Sequence, residues 1–208
     1  MVNLKKNEDL KNEMAKILVN IDAIKFGLFK LSSGKVSPYY VDLRVVPSFP
    51  DAFRQICDSY GNLIVSQIGL SNFDRVAGVP IAGIPFASQI AYNLRKPFLY
   101  VRKGVRLHGR QRRVEGILVS GDKVLLIDDL VTTGLTLKKA ADAVRAEGGV
   151  VTTAIAFLDR EEGGKKKLSK DGIELHSLFK ISEIANILSD LGAIDQESLS
   201  TILKQIKK

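Results

Sequence analysis

The sequence has one cysteine, no tryptophan and no apolar run near the roughly 18 residues that a membrane-spanning helix needs. A single cysteine excludes a disulfide framework and a thiolate metal cluster, so we expect Cys57 to be a small buried hydrophobe on a helix. The first residues, MVNLKKNEDLKNEM, are too polar for the apolar segment of a secretory signal. These absences indicate a soluble cytoplasmic protein without membrane contacts.

The composition is that of an ordinary globular protein, with 45% hydrophobic and 26% charged residues in a chain of 208. This length predicts one domain over residues 1–208. Within it we expect an N-terminal helix and a small strand region to about residue 45, a core over about 46–180, and two short amphipathic helices over about 181–208.

Short apolar runs alternate with helical stretches through the middle of the chain. Apolar positions at a helical period predict a helix over 8–24, and a second helix is expected over 50–70. The predicted strands are 75–79, 98–101, 123–127, 151–158 and 173–178, and the helices between them are 83–94, 135–147 and 161–169. This alternation predicts an α/β fold with a central, mostly parallel sheet flanked by helices. Ligands of such sheets bind beyond the carboxyl ends of the strands.

The stretch VLLIDDLVTTGLT, residues 124–136, consists of a predicted buried strand, two aspartates, and a loop of threonines around one glycine. Backbone amides at the start of the following helix favour a phosphate, and Gly134 lets the backbone approach it. The carboxylates of Asp128 and Asp129 need hydroxyl donors or a cation instead. A sugar phosphate satisfies both groups, whereas a simple helix cap needs neither the second acid nor the threonine-rich loop.

The segment RKGVRLHGRQRR, residues 102–113, holds six of the 31 Lys and Arg residues and one of the two histidines of a chain with net charge +8. Glycines 104, 109 and 116 and the low apolar content predict a mobile lid over 103–116. The alternatives are a solvated basic segment and a nucleic-acid patch. Interleaved aromatic residues are missing, so we expect no nucleic-acid partner.

The segment LLIDDLVTTGLT resembles the phosphoribosyl pyrophosphate signature of type I phosphoribosyltransferases. Three further segments narrow the resemblance to the orotate phosphoribosyltransferase family: FGLFKLSSGKVSPYYVDLR at 26–44, RKGVRLHG at 102–109 and LDREEGG at 158–164. The resemblance implies the type I phosphoribosyltransferase fold, with a small N-terminal hood region over the first 45 residues or so.

The resemblance also implies a division of roles at the site. Asp128 and Asp129 would hold the ribose hydroxyls, the following loop the 5-phosphate, and Thr132 and Arg160 the orotate, although Arg160 also fits an exposed helix start. Mg²⁺ would be the cofactor, carried by the sugar pyrophosphate without direct protein ligands. The implied phosphoribosyl pyrophosphate contacts are Asp128, Asp129, Leu130, Val131, Thr132, Thr133, Gly134, Leu135, Thr136, Arg102, Lys103, Arg106 and His108.

In the resembling family the loop that corresponds to the basic segment 102–113, called the basic loop below, acts on the neighbouring subunit, so the resemblance implies a homodimer. The implied catalytic residues are Arg102, Lys103, Arg106 and His108, and Arg106 stands where a lysine is usual. Arginine holds charge but does not donate a proton at neutral pH. His108 or Lys103 would therefore deliver any proton that the reaction needs.

The segment AGVPIAGIP, residues 77–85, resembles the pyrophosphate loop of the family, in which the Pro80–Ile81 peptide bond is expected to be cis. Ala82 and Ser32 occupy positions that often carry lysine. Two cationic contacts would then be missing, and Lys30 and Lys35 are the nearest possible substitutes.

The expected function is transfer of the ribose 5-phosphate group of phosphoribosyl pyrophosphate to N1 of orotate, an enzymatic step of pyrimidine nucleotide synthesis. A phosphoribosyltransferase for another base and a non-enzymatic sensor of phosphoribosyl pyrophosphate are the alternatives. From the length of 208 residues we expect no fused C-terminal decarboxylase of the kind that some relatives have, and the resemblance allows such an enzyme as a separate partner.

Overall fold

The computed structural model describes residues 2–30, 34, 36–104 and 112–206, with the backbone alone for residues 2–8. The chain forms two compact units, one of Met1–Ile56 with Lys180–Lys208 and one of Cys57–Phe179. The α-helices of the described part are α1 (Val2–Asn20), α2 (Pro50–Leu63), α3 (Gly83–Asn93), α4 (Leu135–Ala146), α5 (Gly164–Lys170), α6 (Ile181–Asp190) and α7 (Gln196–Ile206). The strands are β1 (Ile24–Lys30), β2 (Val36–Val41), β3 (Arg75–Gly78), β4 (Phe98–Val101), β5 (Val114–Glu115), β6 (Lys123–Val131), β7 (Val150–Asp159) and β8 (Glu174–Lys180).

The unit Cys57–Phe179 is built on a six-stranded sheet in the order β5-β4-β3-β6-β7-β8. β3 is parallel to β4 and β6, β6 is parallel to β7, and the short β5 is antiparallel to β4. The chain places β4 on one side of β3 and then β6 on the other. Such a reversal of strand order opens a crevice at the carboxyl ends of the strands, where ligands of open α/β sheets bind.

Helices cover this sheet because its strands are apolar on both faces. One cluster packs apolar residues of α4 against the sheet: Leu137, Ala140, Ala141 and Val144 of the helix with Ala77, Leu99 and Leu126 of three strands. A second cluster is aromatic and joins α2, α3 and the sheet, with Tyr60 at 6.1 Å from Phe86 and 6.4 Å from Phe157 between ring centroids. The predicted mostly parallel sheet flanked by helices is confirmed.

The unit of Met1–Ile56 with Lys180–Lys208 contains a small antiparallel sheet of β1 and β2 and the helices at both ends of the chain. Lys11 of α1 pairs with Glu183 of α6 at 3.1 Å from Nζ to Oε1. None of the helices in the described ranges combines the length and the apolar character that crossing a membrane requires. The single domain expected from the chain length stays a prediction.

Some element boundaries differ from those expected. The first helix ends at Asn20, and Ile24 instead begins β1, because Asp22 takes a left-handed φ of 59° that no helix continues. The α-helical part of the second helix ends at Leu63, and a π-helical turn follows it over Ile64–Ile68. The strand β5 was not predicted, since two residues are too few to show a periodic pattern.

A partly buried ion pair joins Arg75, at the start of β3, to Asp122, in the turn before β6, and each side chain is 15% exposed. Asp122 Oδ2 also accepts the N–H of Val119 at 2.7 Å. The hydrogen bond from Arg75 lowers the pKa of Asp122. The stability that this carboxylate contributes is therefore fully present above its unfolded pKa of about 3.9 and is lost as the pH falls through the lower folded pKa.

We expect Asp122→Asn to lower the free energy of unfolding at pH 7 by about 2 kcal/mol, or roughly 4 to 8 °C in thermal midpoint, with the difference shrinking below about pH 4. Thermal unfolding followed by circular dichroism at several pH values measures this. The control is Asp142→Asn, since the pair of Asp142 with Lys138 is exposed and should contribute little. Equal midpoints for Asp122→Asn and the unaltered chain at pH 7 would contradict the expected result.

Candidate active site

Four segments that carry predicted site residues follow four adjacent parallel strands. The ends of β3 and β4 meet the middle of β6, since Gly78 is paired with both Tyr100 and Ile127. The end of β6 meets the end of β7, where Val131 is paired with Asp159. The segments after these strands therefore lie along one edge of the sheet, which is the edge where the fold favours a ligand.

The paired aspartates lie within β6, and the predicted end of this strand at Ile127 is wrong. Asp128 is paired with Ala156 of β7, and the ladder continues to Val131. The strand extends because the long apolar strand β7 offers a partner as far as its last residue, Asp159. Thr132, and not Asp128, is the first residue beyond the strand.

Asp128 is buried, with 5% of its surface exposed. Its Oδ1 accepts the N–H of Asp129 at 3.0 Å, and its backbone oxygen accepts the hydroxyl of Tyr60 at 2.6 Å. Burial, and secondly the carboxylate of Asp129, raise the pKa of Asp128 well above its usual range. Two acids held this close favour hydroxyl donors or positive charge beside them.

The start of α3 is pressed against β6 beside these acids. A Cβ on Gly83 would lie 2.6 Å from the backbone oxygen of Ile127 and 2.9 Å from Cα of Asp128. Any side chain at this position would therefore push the helix away from the acids. The Pro80–Ile81 peptide bond just before this helix is cis, as expected, and Ala82 precedes the helix without a side-chain cap.

The loop after β6 consists of Thr132, Thr133 and Gly134 and leads into α4. Gly134 has a φ of 77°, and a Cβ there would lie 2.9 Å from Cγ of Leu168, so both conformation and space require glycine. The first N–H groups of a helix have no acceptor within it, and its dipole is positive at that end. Leu135 and Thr136 begin α4 and are exposed. This arrangement can hold a phosphate group.

Arg160 follows β7 directly, and its N–H donates to the backbone oxygen of Val131 at 2.9 Å. That bond extends the β6–β7 pairing by one step and brings Arg160 beside the start of the threonine loop. Arg160 is 8% exposed, and its Nε lies 3.0 Å from Oε1 of Glu162. Arg160 is therefore not an exposed residue at the start of a helix, which was the alternative interpretation. It is buried, and α5 begins only at Gly164.

Arg102 and Lys103 follow β4 at the same edge of the sheet. Arg102 pairs with Glu115 at 3.1 Å from Nη1 to Oε1, whereas Lys103 is exposed. Predicted residues that lie outside the described part of the chain are Arg106 and His108 of the basic loop, with Ser32 and Lys35. Lys30 ends β1 in the other unit.

Cys57 and His176 have surroundings that are structural and lie outside the candidate site. Cys57 is buried on α2, as expected, and burial raises its pKa to about 12. His176 lies on β8, with Nδ1 at 3.3 Å from Oε1 of Gln67 and Nε2 at 3.4 Å from Oε1 of Glu174. In the described ranges no group of three or more His, Cys, Asp or Glu residues could hold a metal ion.

The contacts of Tyr60 and Gly83 with the acids were missed by sequence reasoning. Both residues are distant from Asp128 along the chain, and neither belongs to a sequence motif that contains an acidic residue. The only available signal was the position of Gly83 within the segment AGVPIAGIP, residues 77–85, which has a resemblance of its own.

Comparison with known proteins places this geometry in a family. The sequence pattern of the phosphoribosyl transferase domain matches residues 54–184. Orotate phosphoribosyltransferase from Staphylothermus marinus is 41% identical over 202 residues, which are 97% of each chain. The chain belongs to the orotate phosphoribosyltransferase family. The resemblance and the fold class expected from the motifs are thereby confirmed.

Solved structures agree with this membership. Orotate phosphoribosyltransferase from Aeropyrum pernix is 33% identical with a TM-score of 0.76, over 88% of this chain and 99% of that chain. UMP synthase from Leishmania donovani is 31% identical with a TM-score of 0.83, over 94% of this chain. This member of the orotate phosphoribosyltransferase family spans only 42% of that longer protein.

Proposed function

We propose that the chain catalyses the transfer of ribose 5-phosphate from phosphoribosyl pyrophosphate to N1 of orotate, giving orotidine 5-monophosphate and pyrophosphate in pyrimidine nucleotide synthesis. The observation that carries the proposal is one sheet edge that combines a pair of acids, a phosphate-binding helix start and a buried arginine. These three features match the hydroxyl, phosphate and carboxylate groups of the two substrates.

The sugar phosphate is recognised by β6 and the loop after it. Asp128 and Asp129 accept hydrogen bonds from the two vicinal ribose hydroxyls, and these donors relieve the repulsion between the acids. The amides and hydroxyls from Thr132 to Thr136 donate to the 5-phosphate at the start of α4. The strand and the helix are held by the core, so both groups are placed before the substrate arrives.

The base is recognised by Arg160, with Thr132 beside it. A guanidinium donates two parallel hydrogen bonds to a carboxylate, and orotate carries one whereas uracil, adenine and hypoxanthine do not. Arg160 is buried, so the pairing would occur with little competition from water. This contact distinguishes orotate from the other bases.

Mg²⁺ is the cofactor that the family implies, and the donor groups fit it as an ion carried by the substrate. The carboxyl groups of Asp128 and Asp129 are hard oxygen donors next to the ribose, which suits a magnesium complex of the sugar pyrophosphate. When bound, the ion neutralises charge on the pyrophosphate. Asp128 and Asp129 would hold the ribose hydroxyls of the magnesium-carrying substrate.

Stabilising the leaving group, pyrophosphate, is the main task of catalysis, because bond breaking at the ribose runs ahead of bond making in this family. Arg102, Lys103 and Arg106 place positive charge against the departing pyrophosphate, and preorganised cations are effective in a site that excludes water. Arg106 does not give up a proton. His108 or Lys103 therefore delivers one where it is needed.

Arg106→Ala is expected to lower kcat on the order of 100-fold, as the loss of one preorganised charge-stabilising donor does in other enzymes. The dissociation constant for phosphoribosyl pyrophosphate should change little, because the charge on pyrophosphate grows only in the transition state. Arg106→Lys restores the charge and should keep activity. Steady-state kinetics with calorimetric binding measures both, and an alanine variant of unchanged kcat would remove Arg106 from the mechanism.

The proposal is tested by orotate consumption with phosphoribosyl pyrophosphate and Mg²⁺, with adenine, hypoxanthine and uracil in parallel. Turnover of orotate alone supports the proposal, whereas turnover of another base instead of orotate would show that the substrate is that other base. Tight binding of the sugar pyrophosphate without turnover of any base would favour the sensor. Three features of the proposal stay predictions: the cytoplasmic location, a homodimer that shares the basic loop between subunits, and a separate orotidylate decarboxylase partner.

A further inference from the structure

The two ends of the basic segment meet in a neck, formed by Tyr100 to Arg102 on one side and Arg113 to Glu115 on the other. Tyr100 is paired with Glu115 and Val101 with Val114. The N–H of Arg102 donates to the oxygen of Arg113 at 2.8 Å, and Nη2 of Arg113 donates to the oxygen of Arg102 at 3.4 Å. β5 has two residues, so few ladder bonds hold this neck.

A carboxylate from elsewhere in the unit adds to these few bonds. Oε1 of Glu147 accepts the N–H of Arg113 at 2.8 Å and the N–H of Val114 at 3.0 Å. β5 lies at the edge of the sheet, so it has a neighbouring strand on one side only. Hydrogen bonds to an ionised acceptor are stronger than neutral ones, and the buried Val114 amide would otherwise lose its acceptor.

Glu147 is itself fixed at the end of α4. Its N–H donates to the oxygen of Val144 at 3.1 Å, and the next two amides, of Gly148 and Gly149, donate back to the last turn of the helix. The helix is about 18 Å long at 1.5 Å per residue, and it begins at the opposite end, at the phosphate loop. Glu147 therefore lies too far from that loop to touch the 5-phosphate.

We propose that Glu147 is a positioning residue for phosphoribosyl transfer, a role that rests on the function proposed above. Its carboxylate holds Arg113, and Arg113 holds the backbone of Arg102 through both the N–H and the oxygen. Arg102 and the next residue, Lys103, are thereby presented at the carboxyl end of β4 in one orientation. The same helix thus positions the phosphate loop at its start and the first two cations of the basic segment at its end.

The test compares Glu147→Ala and Glu147→Gln with the matched control Asp142→Ala, which removes an exposed acid from the same helix. Glutamine keeps an oxygen that can accept the two amides, whereas alanine removes it. The measurements are kcat and KM for both substrates, the thermal midpoint, and hydrogen exchange of the Arg113 and Val114 amides.

We expect Glu147→Ala to lower kcat on the order of 10-fold, since a small misplacement of a charged group is costly in catalysis. The KM values should change little, and exchange of the two amides should be faster. The thermal midpoint should fall by only a few °C, because one buried amide loses its acceptor. Glu147→Gln should retain kcat within about 3-fold, because the hydrogen bonds survive without their charge. Asp142→Ala should match the unaltered chain.

Unchanged kcat in Glu147→Ala would overturn the positioning role, as would a loss in kcat that Glu147→Gln shares fully. A fall in kcat that only tracks a fall in thermal midpoint would also overturn it, because a merely structural residue would behave that way. Absence of turnover with any base in the unaltered chain would instead refute the proposed function. The two failures are therefore distinct.

Discussion

Asp128→Asn is expected to lower kcat/KM for phosphoribosyl transfer about 1000-fold, the upper end of what one preorganised polar contact supplies. Asparagine has nearly the same shape, so its oxygen can still accept the N–H of Asp129. It presents an amide in place of a charged acceptor to the ribose hydroxyls. The loss should appear in binding of the sugar pyrophosphate as well as in turnover, because the ribose is held in both states.

The same substitution is expected to stabilise the empty protein at pH 8 by about 1 kcal/mol. The folded-state pKa of Asp128 is raised, first by burial and then by Asp129, so the folded chain binds this proton more tightly than the unfolded chain. Stability therefore falls as the pH rises from the unfolded pKa, about 3.9, through the raised folded pKa. Asparagine has no proton to lose, and its advantage should shrink as the pH falls towards about 4.

Thermal unfolding between pH 4 and pH 8, beside steady-state kinetics, tests both effects in one variant. Asp142→Asn is the control, since that exposed carboxylate is outside the site. Unchanged kcat/KM would show that Asp128 does not hold the ribose. A lower thermal midpoint at pH 8 would show that the buried carboxylate is stabilised in the free protein, contrary to its surroundings.

Arg160→Gln is expected to lower kcat/KM for orotate on the order of 1000-fold, because a buried carboxylate of the substrate would lose its charged partner. Arg160→Lys keeps the charge without the planar pair of donors, so its loss should be smaller, about 30-fold. The dissociation constant for phosphoribosyl pyrophosphate should change less than about 3-fold in either variant, because the proposed contact of Arg160 is with the orotate carboxylate and not with the sugar pyrophosphate.

The matched control for Arg160 is Arg54→Gln, which removes a guanidinium that is 67% exposed on α2. Uracil serves as a second control, because it lacks the carboxylate and any slow reaction with it should be insensitive to Arg160. Weaker binding of phosphoribosyl pyrophosphate in Arg160→Gln, with the KM for orotate unchanged, would place this side chain at the sugar phosphate instead.

Local patterns predicted much of the sheet and most of the site segments. The limits of β4 match the predicted 98–101 because a short apolar run is bounded there by Pro97 and Arg102. The threonine loop was also found, since all its residues are contiguous. The end of β6 was not, because nothing in IDDLV shows that β7 would continue the pairing past the acids.

The sugar-phosphate chemistry of the candidate site was readable from one contiguous stretch, because a strand, two acids, a glycine turn and a helix start are local features of residues 124–136. The assembly around that stretch was not readable. The contacts of Tyr60 with Asp128 and of Glu147 with Val114 join residues that are 68 and 33 positions apart. Such contacts follow from the order β5-β4-β3-β6-β7-β8, which arises when the whole sheet packs and which no local periodicity encodes.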